Sequence, residues 1–214
     1  MAIDLVAKTA FVAFALFIFG CNRSQAPTKA IEPVYNRKSG RLQELKYDSD
    51  GDGKFDTFSY MDGATVQRIE IDQNEDGKID RWEYYGPGQK LERVGFSRAQ
   101  DGIEDAWQYF DANGAVTRIE MSTRRDRKID RIEYYEKGVL ARAEEDTDHD
   151  GKMDKWEIYD GERLAVVAFD ELHRGTPSRR IIYGADGAAR IEVDALGNGR
   201  FVEQVPAPAT RRSQ

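Results

Sequence analysis

The chain has 214 residues, of which 40% are hydrophobic and 33% are charged, so it can form a modest core but is more polar than an average enzyme. Its formal net charge of −7 argues against a nucleic-acid-binding surface. One cysteine excludes a disulfide framework and any cysteine-based metal site, and two histidines leave little for zinc enzymes or serine–histidine hydrolases.

The chain begins with a short apolar run over residues 9–19. The run has about half of the ~20 apolar residues that a membrane-spanning helix needs, so it predicts the hydrophobic region of a signal peptide. Residues 18–21, Ile-Phe-Gly-Cys, resemble the lipobox of bacterial lipoproteins, although Phe19 departs from the small or aliphatic residue usual at that place. The resemblance implies a lipoprotein signal peptide over 1–20, which contains an N-terminal signal helix, and a lipid bilayer as partner, through acylation of Cys21. An ordinary secretory signal peptide is the alternative.

The segments on either side of the central region lack a clean periodicity. Residues 21–34 contain two prolines and predict a flexible tether behind the lipidated cysteine, and residues 205–214 predict a disordered tail. Asparagine follows Cys21, which resembles the pattern of lipoproteins sorted to the outer membrane. We therefore expect a bacterial cell-envelope location, with the outer membrane favoured and the domain facing the periplasm or the exterior.

Residues 35–204 form a tandem repeat. Units aligned on an acidic loop begin every 24 or 25 residues, at Asp48, Asp72, Ser97, Ser122, Asp146, Asp170 and Asp194. A segment of this length buries too little surface to fold alone, so the units must stack on their neighbours. We number these loops one to seven and number the positions of each loop from its first residue.

Each unit is predicted to be one β-hairpin. The turn dipeptides, which accept positive φ angles, are Asp62-Gly63, Asn113-Gly114, Lys137-Gly138, Asp160-Gly161 and Asp186-Gly187, with Gly-Pro-Gly at 86–88 in the same place. Alternating β-type segments lie on both sides of each turn. The sequence therefore predicts an all-β fold, an antiparallel meander of roughly 12 strands at two per unit, as either a long twisted sheet or a β-solenoid.

Aromatic residues recur at the same place in successive units. In the second unit, alternation puts Trp82 and Tyr84 on one face of a strand and Arg81 and Glu83 on the other. Core packing is the preferred interpretation of these aromatics, and a strip that stacks on a ligand is the alternative.

Three loops carry oxygen donors at alternating positions. Positions 1, 3, 5 and 9 are Asp48, Asp50, Asp52 and Asp56 in loop one, Asp72, Asn74, Asp76 and Asp80 in loop two, and Asp146, Asp148, Asp150 and Asp154 in loop five. Without a cation, carboxylates held about 4 Å apart repel by ~1 to ~4 kcal/mol per pair, depending on the local dielectric. A bound cation explains the clusters most simply, and polar linker turns are the alternative.

These loops resemble the calcium loop of EF-hands and, more nearly, the helix-free D-x-D-x-D-G loops of thrombospondin type 3 repeats. The resemblance implies Ca²⁺ as the cofactor, with about three ions bound. It also implies that the backbone carbonyls of Lys54, Lys78 and Lys152, at position 7, are ligands. Three ions would offset most of the net charge.

Position 12 holds Glu83 in loop two and Glu157 in loop five, where an EF-hand places its bidentate glutamate. We include both as candidate ligands, although three extended residues carry a side chain about 10 Å away from the loop. Glu133 occupies the same position in loop four, whose other ligands are missing. This favours a role in the sheet, such as a cross-strand pair with an arginine (Arg93, Arg118 or Arg142).

Loops three, four and six lack the full donor set. Loop three has Ser97 and Ala99, loop four has Arg124 and Arg127, and loop six has Leu172 and Arg174 in place of ligands or the loop glycine. We expect a guanidinium of loop four to neutralise Asp126 and Asp130. His149 lies at position 4, which is not a ligand position, and His173 has no catalytic partner nearby in the sequence, so neither predicts catalysis.

The sequence thus predicts a non-enzymatic, lipid-anchored envelope protein that binds Ca²⁺ and acts as a structural or interaction scaffold. Its expected partner is an envelope protein or a polysaccharide. The alternative is a glycan- or peptide-binding module that uses the aromatic and charged face of the sheet, with calcium incidental.

Overall fold

The computed structural model describes residues 30–204. The predicted signal peptide at 1–20 with its helix, the acylation site Cys21 and the predicted tail at 205–214 lie outside these residues. The predicted boundary between tether and sheet at residue 35 is wrong, because Ile31–Tyr35 forms the first strand. Pro33 and the absence of alternation concealed this strand in the sequence.

Fifteen strands make up the described part of the chain. They are β1 (Ile31–Tyr35), β2 (Leu42–Tyr47), β3 (Thr57–Asp62), β4 (Thr65–Ile71), β5 (Arg81–Tyr85), β6 (Leu91–Phe96), β7 (Ala106–Phe110), β8 (Val116–Met121), β9 (Arg131–Glu136), β10 (Val139–Glu145), β11 (Lys155–Asp160), β12 (Arg163–Phe169), β13 (Arg179–Tyr183), β14 (Ala189–Val193) and β15 (Val202–Glu203). One turn of 3₁₀ helix, Pro87–Gln89, lies between β5 and β6. Residues 30–204 contain no helix with the length and apolar character that a bilayer span requires.

Each strand pairs antiparallel with the next one, from β1 at one edge of the sheet to β15 at the other. This confirms the all-β meander and selects the open sheet over the solenoid. The six predicted hairpins are β3 to β14. The strands beyond the expected number of about 12 are the hairpin β1–β2, which precedes loop one, and β15, which follows loop seven.

The hairpin turns lie at the predicted dipeptides. Their glycines all have positive φ, which residues with a Cβ rarely adopt: Gly63 (65°), Gly114 (82°), Gly138 (80°), Gly161 (62°) and Gly187 (81°). All the hairpin turns lie at one end of the strands, and the acidic loops lie at the opposite end, which we call the loop edge.

The two faces of the sheet carry different side chains. Face A bears Trp82 and Tyr84, and face B bears Arg81 and Glu83, as predicted from the alternation. One row of cross-strand neighbours on face A alternates tyrosine and arginine over eight strands: Tyr60, Arg68, Tyr84, Arg93, Tyr109, Arg118, Tyr134 and Arg142. Within each pair the guanidinium carbon lies 3.5 to 4.3 Å from the tyrosine ring centroid. Such cation–π contacts contribute about 0.5–1 kcal/mol each at exposed sites.

The sheet is a single layer with little apolar core. Only six hydrophobic side chains are buried in the described residues, among them Trp82 and Val94, against thirteen polar ones. Twelve of those thirteen lie in the acidic loops. Core packing therefore accounts for Trp82, whereas Trp107 and Trp156 are half-buried, and the most completely buried polar groups of the molecule lie along the loop edge.

Candidate metal centres

Backbone hydrogen bonds join successive acidic loops directly. In each pair the amide of position 1 donates to the carbonyl of position 9 in the preceding loop. The bonds are Asp72 to Asp56 (2.8 Å), Ser97 to Asp80 (2.9 Å), Ser122 to Asp105 (2.9 Å), Asp146 to Asp130 (2.8 Å), Asp170 to Asp154 (2.8 Å) and Asp194 to Ser178 (2.8 Å). The loops are therefore stacked side by side along one edge of the sheet.

Side chains at positions 1 and 9 close each loop on itself. In loop one the amides of Gly51 and Gly53 donate to the two carboxylate oxygens of Asp48, at 2.6 and 2.9 Å. The amide of Ser49 donates to Asp56 Oδ2 at 2.7 Å. Burial acts to raise the pKa of Asp56, but its hydrogen bonds with Ser49 and Thr57 bring the pKa below its ordinary value. Aspartate at these two positions thus has a structural role that does not depend on a metal.

Side chains at positions 3 and 5 form tight turns with the backbone two residues on. Asp50 Oδ1 accepts the amide of Asp52 at 2.9 Å, and Asp52 Oδ1 accepts the amide of Lys54 at 2.7 Å. The same bonds recur from Asp76 to Asn74, Lys78 to Asp76, Asp150 to Asp148 and Lys152 to Asp150. The backbone hydrogen bond of Lys54 and its ammonium, 3.1 Å from the carboxylate, lower the pKa of Asp52.

Two loops bring three carboxylates to one point. Oxygens of Asp48, Asp50 and Asp56 in loop one lie within 4.8 Å of one another, as do those of Asp146, Asp148 and Asp154 in loop five. The carbonyls of Lys54, Lys78 and Lys152 accept no hydrogen bond within residues 30–204. In loops one and five the predicted side-chain donors at positions 1, 3 and 9 are therefore together, whereas Asp52 and Asp150, at position 5, group with a residue of the following loop. In loop two the third donor is the Asn74 amide, which belongs to no cluster of three acidic or histidine side chains.

Some buried carboxylate oxygens in these loops have no hydrogen-bond partner among the described residues. They are Asp80 Oδ1, Asp146 Oδ1 and Asp170 Oδ1. A buried, unpaired carboxylate oxygen is costly, and a cation would offset the cost. These three oxygens belong to loops two, five and six. Of these three loops, loops two and five have oxygen donors at positions 3 and 5, and loop six does not.

Position 4 has a recurring conformation that the sequence analysis did not predict. Its residue has a left-handed backbone in loops two to six: Glu75 (62°), Gln100 (54°), Arg125 (63°), His149 (63°) and His173 (50°). This conformation turns the side chain of Glu75 toward Asp50 and Asp52 in the preceding loop. Repulsion from Asp50, with burial and Asp52, raises the pKa of Glu75. A signal was present, because loops one and seven have glycine at this position.

The position 12 glutamates lie on face B of the sheet instead of in the loops. Glu83 accepts hydrogen bonds from Arg81 Nε at 2.8 Å and from the Tyr85 hydroxyl at 2.6 Å. Glu157 pairs with Arg131 and Lys155, at 3.2 and 2.7 Å. The structure therefore removes both from the ligand set, because a strand carries them away from the loop where a helix would turn them back.

The predicted partners of Glu133 are also wrong. Arg93, Arg118 and Arg142 belong to the tyrosine–arginine row on face A, whereas Glu133 lies on face B. Glu133 pairs instead with Arg131, at 2.9 Å, and accepts the Tyr135 hydroxyl, at 2.9 Å.

Between loops three and four, the positive charge beside the carboxylates comes from an arginine side chain. The guanidinium of Arg125 pairs with Asp101 and, at 3.1 Å, with Asp105, both in loop three. Arg98 Nε lies 3.3 Å from Asp105 as well. The expectation that a loop four guanidinium neutralises Asp126 and Asp130 is wrong in its partners, because position 4 faces the preceding loop. Arg124 and Arg127 form no ion pair within the described part of the chain.

No protein-family model matches the sequence, and no curated protein matches it. Among solved structures, TarM matches 45% of this chain and 20% of its own, at 13% identity and a TM-score of 0.35. The accessory secretory proteins 1, 2 and 3 of Streptococcus pneumoniae match 67% of this chain and 19% of their own, at 14% identity and a TM-score of 0.27. The GtfA/B complex bound to UDP and GlcNAc matches 60% of this chain and 22% of its own, at 14% identity and a TM-score of 0.21. The chain thus spans about a fifth of the length of the structures it matches, and these TM-scores carry no functional argument.

Replacing Arg125→Gln should lower the melting temperature of the protein by the same amount in calcium and in EDTA. The change removes a cation from Asp105, whose side chain is 1% exposed. Calcium cannot compensate, because Ser97 and Ala99 occupy positions 1 and 3 of loop three. Gln100 shows that glutamine fits the backbone at position 4.

The matched control is Arg124→Gln, which makes the same charge change one residue away. It should leave the melting temperature nearly unchanged. An equal loss in both variants would show that the ion pairs of Arg125 with Asp101 and Asp105 do not stabilise the joint.

Proposed function

We propose that this chain is a cell-envelope protein, anchored in a membrane through acylated Cys21, whose hairpin array is stiffened by Ca²⁺ in the acidic loops. The observation that carries the proposal is the convergence of Asp146, Asp148 and Asp154 in loop five, with Asp146 Oδ1 buried and unpaired. Calcium prefers clustered hard oxygen ligands of this kind. Loop one has the same cluster, and loop two offers Asp80 Oδ1 with Asn74 and Asp76.

A cation in one loop would also brace its neighbour. Each loop is bonded through position 1 and position 9 to the loops beside it, so fixing one loop restrains two hairpin joints. Sites with dissociation constants of about 10⁻⁴ to 10⁻³ M, which are typical of extracellular calcium modules, would be filled outside the cytosol. We therefore propose a non-catalytic role as a stiff spacer or docking scaffold for an envelope protein or polysaccharide.

The protein should bind about three Ca²⁺, and about 5 mM calcium should raise its melting temperature above that in EDTA. At those affinities each filled site stabilises the folded state by about 1–2 kcal/mol. The triple variant Asp50→Asn, Asp76→Asn, Asp150→Asn should lose most of this rise. All three side chains are exposed, and asparagine can keep the turn hydrogen bond, as Asn74 does.

The control for this experiment is Asp62→Asn, Asp160→Asn, Asp186→Asn, which makes the same charge change in three hairpin turns at the opposite edge. It should keep the calcium response. The proposal fails if the loop variant responds to calcium as strongly as the wild type in calorimetry and thermal melting.

Replacing Glu75→Gln should have opposite effects with and without calcium. In EDTA it removes the repulsion that raises the pKa of Glu75, so the melting temperature should rise. In calcium it removes a ligand charge beside Asp50 and Asp52, so the increase caused by calcium should shrink. Glu162→Gln, an exposed residue near the hairpin turn, should do neither. A change of the same sign and size in both conditions would contradict a cation between loops one and two.

A second candidate function follows from a groove of about 430 Å³ on face A. Trp156 lines it, and the small Ala168 beside Trp156 leaves the space open. Arg142, Glu144 and Arg180 add charged groups around the indole. An aromatic surface ringed by polar groups suits a glycan or a peptide, with calcium incidental.

If the groove binds such ligands, Trp156→Ala should abolish retention of the protein in polysaccharide-containing native gels and on peptide arrays. Trp107→Ala lies on the same face outside the groove and should leave retention intact. Circular dichroism should confirm that both variants fold. Absence of retention for the wild type would exclude this function for the ligands tried.

A further inference from the structure

Among the described joints, the one between loops five and six places a histidine within ion-pair distance of a carboxylate. His173 Nδ1 lies 3.5 Å from Asp148 Oδ2. One ligand atom from each of Asp148, Asp150 and His173 lies within 4.8 Å of the others. Asp148 also belongs to the cluster with Asp146, which is 4% exposed and has an unpaired Oδ1. An imidazole nitrogen and two carboxylates thus meet at one place, and one of these carboxylates, Asp148, also belongs to the cluster that contains Asp146.

We propose that this joint binds a divalent transition-metal ion such as Zn²⁺. Imidazole nitrogen is a poor ligand for hard ions such as Ca²⁺ but suits zinc, which also accepts aspartate oxygens. Asp148, Asp150 and His173 supply three protein ligands, and their exposure leaves room for water at a fourth position. The proposal shares loop five with the proposed calcium function but does not require that any loop binds calcium.

The residue at position 4 determines which cation each joint accepts. Glu75 completes an all-oxygen set with Asp50 and Asp52, which favours a hard ion. Arg125 brings its own positive charge to loop three, so that joint needs no ion. His173 brings a borderline nitrogen ligand to loop five.

The other histidine provides the contrast. His149 has the same position and the same left-handed backbone, and it faces loop four. There it shares a small cavity with Arg124, Lys128, Asp126 and Asp130, and with Asp146 and Asp150 of its own loop. The two cationic side chains oppose a metal ion, and His149 belongs to no metal-ligand cluster among the described residues. The chain therefore offers two histidines in one structural setting, of which one meets suitable ligands.

The test is calorimetric titration of Zn²⁺ into the full 214-residue chain in detergent, stripped with EDTA, dialysed, and with the Cys21 thiol alkylated. We expect His173→Gln to weaken one zinc site at least about tenfold. Loss of a residue that only hydrogen-bonds to a metal ligand already costs about 10- to 100-fold in metal affinity, and His173 would be a direct ligand. His149→Gln should bind zinc as the wild type does. Glutamine fits position 4, as Gln100 shows, so both variants should fold.

Two results would overturn the proposal: His173→Gln binding zinc as tightly as the wild type, or His149→Gln losing the same affinity. Thermal melting in calcium on the same samples separates this proposal from the calcium function. If calcium fails to raise the melting temperature of the wild type while only His173→Gln weakens zinc binding, the calcium function fails and the zinc site stands. If the wild type responds to calcium but both histidine variants bind zinc alike, the zinc site fails alone.

Discussion

The whole array depends on the hydrogen bond between the position 1 amide of one loop and the position 9 carbonyl of the loop before it. A single-layer sheet has few places to bury apolar surface, so its units cannot be held by a common core. Here the position 1 residue is buried in every loop, from Asp48 to Asp194. Its side chain closes its own loop while its amide holds the preceding one. The hydrogen bonds and buried residues of the loop edge therefore hold the units together, as a hydrophobic core does in proteins with two or more layers.

Face A adds a second line of cohesion across the strands. Each arginine of the tyrosine–arginine row stacks on the tyrosine of a neighbouring strand, as Arg93 does on Tyr84 at 4.0 Å. These contacts and the loop bonds both join nearest neighbours along the chain. Stability in such a molecule is approximately a sum of unit and interface terms, so one joint can be strengthened or weakened independently of distant ones. An ion, an arginine or a histidine at a given joint can therefore act locally.

The sequence allowed the hairpins and the meander to be predicted, because the 24-residue period and the Asp-Gly turns are local signals. The positions of Glu83 and Glu157 were harder, since the same spacing delivers a ligand from a helix and misses the loop from a strand. Glu75, Arg125 and His173 act on the preceding loop, about 24 residues away, and no pattern within a single loop indicates that direction. Strand β1 was missed because Pro33 reads as a breaker, yet proline is tolerated in an edge strand.

Pro33 has a further consequence for how the sheet ends. Ala30 accepts the amide of Asp48, so alternate residues of β1 face its partner and Pro33 falls at an outward place. The side of this strand that faces away from β2 thus lacks a donor at its centre. A foreign strand would find an incomplete template there, which discourages edge-to-edge polymerisation. Growth of a filament by strand addition is therefore disfavoured at this margin.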